Sequence, residues 1–434
     1  MKLKEKIIKS KLVLAIAGII LLSAGCSGGG GGAANQRITL NVWMTFEDSE
    51  NLQALFNDYQ QKHSNVQIVY TKKNYENYEQ DLLNALAAGT GPDVFAIHNS
   101  WLPKYIDKIT PAPQKTFTFS DYKNTFVDAA VNDFTRDNQV YGVAMSVDSL
   151  AMYYNKDLLG TAGIATPPKT WQELASDVQR MKRADGKGYF TRSGVAIGTN
   201  TNVNRAVDIL YLMMLQNGVV PFSADRSRPT FADTANKDGN TTDPGQQALD
   251  FYTSFANPQN PNYNWNYRSD YSTDAFTNGR AAFLYSYSYT RQTILQKNPN
   301  LNFDVAPVPQ PNLDNPSVNF ANYWGEVVNK QSKNSAWAWD LLKFLSSKEI
   351  LDKYYVQHKQ PSSRKDLIEL QIPDPEIGMF ASANLTAKSF YRPDQAKMDD
   401  LFGKMIDNVI LNGLSSDEAL RQAEQQAEII TRGN

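Results

Sequence analysis

Residues 141–174 read YGVAMSVDSLAMYYNKDLLGTAGIATPPKTWQEL, and this stretch decides the fold. Tyr141-Gly142 closes a turn, residues 143–147 lean toward strand, and Asp148-Ser149 stand where that strand would end. Residues 151–155 are a second β-favouring run that contains Tyr153 and Tyr154. Lys156-Asp157-Leu158-Leu159 opens a short helix, which Gly160 and Gly163 stop. Thr166-Pro167-Pro168-Lys169-Thr170 is a rigid connector. Thr170 followed three residues later by Glu173 has capping-box spacing, so a helix begins at Trp171. A chain that passes from strand to carboxylate to strand so quickly reads either as a crossing between two lobes or as a hairpin followed by a helix.

Upstream, Ile38, Leu40 and Val42 alternate as a strand that ends at Trp43-Met44-Thr45-Phe46. Leu52, Leu55, Phe56 and Tyr59 then recur at helical spacing behind Asp48 or Ser49 as cap. Val66, Ile68 and Tyr70 form a second strand, and a helix through Leu82, Leu83 and Leu86 stops at Gly89-Thr90-Gly91-Pro92. Residues 93–97 are short and apolar, as buried parallel strands are. This βαβαβ order predicts an open parallel sheet with helices on its faces. Ligands of such sheets sit beyond the carboxyl ends of the strands. Two segments are thereby nominated, Trp43 to Glu47 after the first strand and His98-Asn99-Ser100-Trp101 after the third, with Trp43, Glu47, Asn99 and Trp101 as candidates.

Downstream, the helix from Trp171 runs to about residue 183, and residues 193–197 form a strand. The polar loop Gly198-Thr199-Asn200-Thr201-Asn202 precedes a helix bearing Ile209, Leu210, Leu212, Met213 and Met214. Residues 276–284 read as a helix end feeding a strand that delivers Tyr285, Tyr287 and Tyr289 at period two. Tyr323-Trp324-Gly325 with Val327-Val328 is another strand, residues 336–344 a helix, and the tail over residues 398–430 is helical.

The N-terminus reads as an export signal. Five lysines within residues 2–11 precede an apolar run over residues 12–22, which is too short to span a bilayer. Ser23-Ala24-Gly25-Cys26 resembles a lipoprotein cleavage box, with Ser23 where Leu is usual. Residues 1–25 are then a signal peptide. Cys26, the only cysteine, is lipidated, and residues 26–35 form a glycine-rich tether to the extracytoplasmic face of the cell membrane.

Composition excludes several classes. The 434 residues carry a formal charge of −2 with no basic stripe, so no nucleic-acid partner is indicated. His63, His98 and His358 are isolated, and no Walker loop or nucleophile elbow is present. We therefore expect no enzyme, no metal and no cofactor. The 22 Tyr, 20 Phe and 7 Trp supply material for stacking surfaces.

Tyr154-Asn155-Lys156-Asp157-Leu158-Leu159, then Pro167-Pro168-Lys169-Thr170-Trp171 with Glu173, resemble the signature of bacterial family-1 extracellular solute-binding proteins, the maltose-binding-protein-like receptors of ABC importers. Gly91-Pro92-Asp93, residues 276–284, residues 303–309 as a return strand into the first lobe, residues 360–364 and the helix start at residues 415–420 also look like that family. The resemblance implies an α/β, two-lobe periplasmic-binding-protein-like fold of type II with a hinge. It places residues 36–146 with 303–347 in the N-lobe and residues 148–302 with 348–434 in the C-lobe. It further implies a monomer that binds a carbohydrate, an oligosaccharide, and hands it to an ABC permease and its ATPase. Sugars present apolar C–H faces to aromatic planes and hydroxyls to carboxylates and amides. Trp43, Glu47, Asn99, Trp101, Asp148, Asn200, Asn202, Tyr289, Asn322, Tyr323 and Trp324 are that mixture at strand ends. By position, the resemblance singles out Asp148, the loop before the helix at Arg205, Tyr289, and Tyr391 or Arg392. Two other readings stay open: a receptor for a glycerophosphodiester or peptide, to which Arg364 and Arg392 would be suited, and a surface glycoside hydrolase.

Overall fold

Two five-stranded sheets carry the chain in the computed structural model, which describes residues 37–185, 187–237 and 239–433. The export signal, Cys26 and the glycine tether lie outside the described residues. The first sheet has the order Val66–Lys72, Ile38–Met44, Val94–His98, Trp324–Val328, Gly142–Val143. Its first three strands are parallel, and its last two pairings are antiparallel. Leu40, Val42 and Met44 bury one face of their strand, and the helix Ser49–Lys62 covers the sheet with Leu52, Leu55, Phe56 and Tyr59. Val94–His98 is buried along its whole length, which suits a central strand covered on both faces.

The second sheet has the order Phe303–Ala306, Ala151–Asn155, Ala281–Ser286, Phe190–Val195, Arg183–Ala184. The helix Trp171–Met181 packs on it through Trp171, Leu174, Val178 and Met181. Its capping box is complete: Glu173 N donates to Thr170 Oγ1 at 3.2 Å, and Thr170 N donates to Glu173 Oε2 at 3.2 Å. Gly194 is required beneath it, since a Cβ there would lie 2.6 Å from the Cα of Val178. The helix Ala206–Gln216 is buried nearly all round and sits inside the second core. Each sheet has its own hydrophobic core.

Two expectations are corrected. Phe303–Ala306 does not return to the first lobe; it pairs antiparallel with Ala151–Asn155 on the edge of the second sheet, where Phe303 packs 6.1 Å from Tyr153. The helix Lys348–His358 buries Ile350, Leu351, Tyr354 and Tyr355 in the first core, although residues from 348 onward were expected in the second lobe. The helical tail and its helix start at residues 415–420 are as expected: Gln395–Ile410 and Ser416–Arg432 are its two helices, and Gly413 at φ 70° turns the chain between them.

The chain passes between the two cores near residues 147–150, 319–323 and 384–390. Leu150 N donates to Phe320 O at 3.0 Å and Asn322 N to Asp148 O at 3.0 Å, and Asn319–Phe320 pairs with Ala387–Lys388. Asn384 is fully buried among these strands. Its Nδ2 donates to Val147 O at 2.6 Å and to Ser362 O at 3.0 Å, and its Oδ1 accepts from Ser149 Oγ at 2.6 Å. We predict that Asn384→Ala, which leaves two buried carbonyls and a hydroxyl without their partner, lowers unfolding free energy by roughly 1–3 kcal/mol. Urea denaturation measures it, and an unchanged midpoint would mean that the crossings hold without this side chain.

Candidate ligand cleft

A cleft of about 430 Å³ opens at the carboxyl ends of Ile38–Met44 and Val94–His98 and faces the turn that follows Ala281–Ser286. The first lobe contributes Phe46, Glu47, Tyr75, His98, Trp324, Glu326 and Tyr354. The second lobe contributes Arg205, Tyr287, Ser288 and Tyr289, and the crossings contribute Asp148 and Asn322.

The aromatic wall is one cluster. Phe46 lies edge-on to Trp324 and tilted against Tyr75, both at 5.4 Å between centroids, and Tyr75 lies 6.2 Å from Trp324. Trp101 backs Trp324 edge-on at 5.0 Å. It is stacked between Tyr78 and Tyr105, and its indole N–H donates to Gln395 Oε1 at 2.8 Å. Trp101 therefore supports the wall instead of forming it.

A polar chain crosses the cleft floor. His98 Nδ1 lies 2.8 Å from Ser100 Oγ, His98 Nε2 lies 3.1 Å from Asn322 Oδ1, and Asn322 Nδ2 donates to Asp208 Oδ2 at 3.3 Å. The same Asp208 oxygen accepts from the Tyr287 hydroxyl at 2.8 Å. Burial, then the positive charge of Arg392, pushes His98 well below its ordinary value, so the ring is neutral. Because the Asn322 amide donates to a carboxylate, its oxygen must accept. The network thus assigns the proton to His98 Nε2, and Nδ1 accepts from Ser100.

Asp148 sits where both lobes meet this floor. Its Oδ2 accepts from Ser288 N at 3.0 Å and from Ser288 Oγ at 2.7 Å. Its Oδ1 has no partner among the described residues. Burial raises its carboxyl to about 7 against the opposing pull of the Ser288 bonds. Arg205 faces it from the start of Ala206–Gln216 with φ 62°, a left-handed conformation costly for a side chain of this kind. Its Nε and Nη2 donate to the Tyr289 hydroxyl at 3.1 and 2.8 Å, and Nη1 lies 3.9 Å from Asp208. Glu326 lies in the middle of an otherwise apolar strand, and burial, with Glu47 adding, raises it to about 8.

Of the residues expected at the site, Glu47, Asp148, Tyr289, Asn322, Tyr323 and Trp324 line the cleft. The others lie elsewhere. Trp43 sits under the Lys73 ammonium at 4.0 Å, on the strand face opposite Val42 and Met44. Asn99 and Tyr391 line a smaller cavity of about 210 Å³. There Asn99 Nδ2 donates to Asp133 Oδ2 at 2.9 Å, and Tyr391 lies under Arg226 at 4.6 Å. Asn200 donates to Asp407 at 3.0 Å, and Asn202 donates to the carbonyls of Asn266 and Ser269, so both amides brace their loop. Arg392 is fully buried and paired with Asp399 at 2.9 Å. Sequence reasoning missed Arg205, Glu326, Tyr354, Tyr75 and Gln395 as lining residues. A lone acid in the run Trp324–Val328 was a visible signal for Glu326. Tyr354 offered none, being one of many tyrosines on an amphipathic helix. Among the described residues, no group of three or more His, Cys, Asp or Glu is arranged to hold a metal, and no helix is long and apolar enough to cross a membrane.

Two α/β lobes, each with its own core, and a polar and aromatic cleft between them define a two-lobe binding-protein fold. The family model described as bacterial extracellular solute-binding protein matches residues 45–350, and the chain belongs to that family. It is 24% identical over 366 residues to a binding protein of Brucella abortus, covering 81% of this chain and 83% of the relative. It is also 24% identical over 373 residues to the diacetylchitobiose binding protein DasA of Streptomyces coelicolor, covering 80% and 79%. Among solved structures it shares its fold with the sugar-binding protein MalE from Xanthomonas citri, at TM-score 0.76 and 21% identity over 91% of this chain and 98% of the other.

The raised Glu326 carboxyl sets a pH dependence. Between its ordinary value of 4.5 and about 8, the folded protein holds a proton that the unfolded chain has lost. Its unfavourable effect is therefore absent below 4.5, grows as pH rises, and is complete above about 8. Glu326→Gln should gain stability relative to the parent at high pH and show a smaller difference, or none in its favour, near pH 4.5. Chemical denaturation at the two ends of that window measures the gap, and a gap that does not widen with pH would put Glu326 in the ordinary carboxyl range.

Proposed function

We propose that the protein is a lipid-anchored receptor of an ABC importer that captures an oligosaccharide in the inter-lobe cleft and delivers it to a membrane permease driven by its ATPase. The observation that carries this reading is the division of the cleft. Phe46, Tyr75 and Trp324 offer apolar plates on one lobe, and Arg205, Tyr289 and the Asp148 Oδ1 offer hydrogen-bonding groups opposite. A ring of sugar needs both at once, and closure of the lobes desolvates both together. The sugar named by the Streptomyces relative supports a carbohydrate ligand. A phosphate-bearing solute is less well served, since Arg364 is engaged by Asp366 and Arg392 by Asp399, and Arg205 is the only Arg or Lys among the cleft-lining residues. The export signal and Cys26 support attachment to the extracytoplasmic face of the membrane. Membership in a solute-binding family supports capture without turnover, as a monomer and without cofactor.

An oligosaccharide panel should contain at least one member that raises the melting temperature and shrinks the radius of gyration in solution scattering. Trp324→Ala should weaken that ligand about tenfold or more by calorimetry, as loss of a central aromatic contact does. A broad panel without any thermal shift would sink the carbohydrate assignment.

A further inference from the structure

Among the described residues, the first-lobe end of the cleft is lined by acids and by no cation. Glu326 is 6% exposed, lines the cavity, and its Oε2 has no partner among the described residues. Glu47 lines the same end. The two acids bear on each other, and both bear on the hydroxyls of Tyr70 and Tyr354, which burial chiefly and these acids in addition hold protonated. Cations nearby are engaged elsewhere. Lys72 pairs with Asp48 at 2.6 Å, Lys73 lies over Trp43 and 3.9 Å from Asp81, and Arg205 on the opposite wall is held by Tyr289 and Asp208. His98 is neutral and engaged on both ring nitrogens. Asp148 adds a further acid to the cleft.

Around the two acids stand the rings of Phe46, Tyr75 and Trp324, with centroids 5.4 to 6.2 Å apart. Phe46 and Tyr75 are 55% and 56% exposed, which leaves their faces free for a ligand. A neutral hydroxyl would ask only for hydrogen bonds there. It would leave the buried Oε2 of Glu326 without a charge to answer it at the end of the cleft that Glu47 also lines, which costs free energy unless that carboxyl stays protonated. An ammonium group supplies that partner, gains charge-assisted hydrogen bonds, and meets the negative faces of the rings. From this geometry we infer that the first-lobe end of the cleft is a cation subsite, which takes the protonated amine of an aminated oligosaccharide. The inference rests on the carbohydrate reading above and narrows it. In the empty cleft Glu326 keeps its proton up to about pH 8, so an arriving ammonium drives that proton off to solvent.

The full chain is titrated by calorimetry with matched sets of neutral glucose oligosaccharides, their 2-amino-2-deoxy counterparts and the N-acetylated forms, in α-1,4 and β-1,4 linkage. Two buffers of different ionisation enthalpy are used at mildly acid pH, where the sugar amine is fully protonated and Glu326 still holds its proton. The amino form should bind at least about tenfold tighter than its neutral and N-acetylated partners, as a charge-assisted bond does, and it alone should release protons. Glu326→Gln and Glu47→Gln should each reduce that preference, read as the ratio of amino-form to neutral-sugar affinity within the same variant. If neutral or N-acetylated sugars bind as tightly as the amino form, or the preference survives both substitutions, the cation subsite is refuted and the carbohydrate reading stands. If no sugar of any class binds, the carbohydrate reading fails and takes the subsite with it.

Discussion

Everything that functions in this protein is hung on the place where the chain changes sheets. Asn384 supplies the constraint. A side-chain amide can donate twice and accept through its oxygen, and here both donor positions and the oxygen are used, tying Asn384 to the segment 147–149 and to Ser362. An amide buried to that depth is tolerated only because its hydrogen bonds are made. The crossing strands belong to both cores at once: Val147, Ala321 and Ala387 are buried in the first, and Leu150, Phe320 and Phe390 in the second.

The residues of these crossings also line the cleft. Asp148 accepts through its backbone carbonyl from Asn322 N, while its side chain is held by Ser288 of the second lobe. Asn322 reaches His98 of the first lobe through one side-chain atom and Asp208 of the second through the other. The cleft floor is thus a row of hydrogen bonds that runs from lobe to lobe through the hinge. Any rotation of the lobes must lengthen or reorient members of this row. The left-handed Arg205 fits the same logic: its unfavourable backbone is held by the Asn200–Val203 turn and by the Asn204–Ser272 bond, which leaves the guanidinium fixed over Tyr287 and Tyr289.

Much of this was legible in the chain. The pattern gave four strands of the first sheet within a residue or two, whereas residues 143–147 lean toward strand and only Gly142–Val143 pair there; the capping box at Thr170 is present in both halves, and the order of elements pointed to strand ends as the place of binding. What pattern reading could not supply was direction. Trp43 and Trp101 are as suited to a sugar as Trp324, but the pleat turns Trp43 to the far side, and Trp101 is consumed by Tyr78 and Tyr105. Asn200 and Asn202 have the chemistry of ligand-binding amides and spend it on their own loop. The strand Phe303–Ala306 was legible as a strand and not as a partner of Ala151–Asn155, because pairing across so many residues leaves no local mark. The same holds for Tyr354, which reaches the cleft only because its helix packs on the first core.

Glu326 brings these strands of argument together. An acid inside a buried strand costs stability in the empty protein, and nothing among the described residues repays the cost at its Oε2. Such a group persists where the folded scaffold has stability to spare and the ligand supplies the missing partner. The cores on both sides provide that reserve, and the hinge provides the means of bringing a partner in. A receptor must also release what it holds. A carboxyl that regains its proton when the ligand leaves does not abandon a bare charge in the open cleft, so opening is not penalised by the full desolvation of an unpaired anion. The acid that weakens the empty fold is in this way the one that makes gripping and letting go compatible within a single cleft.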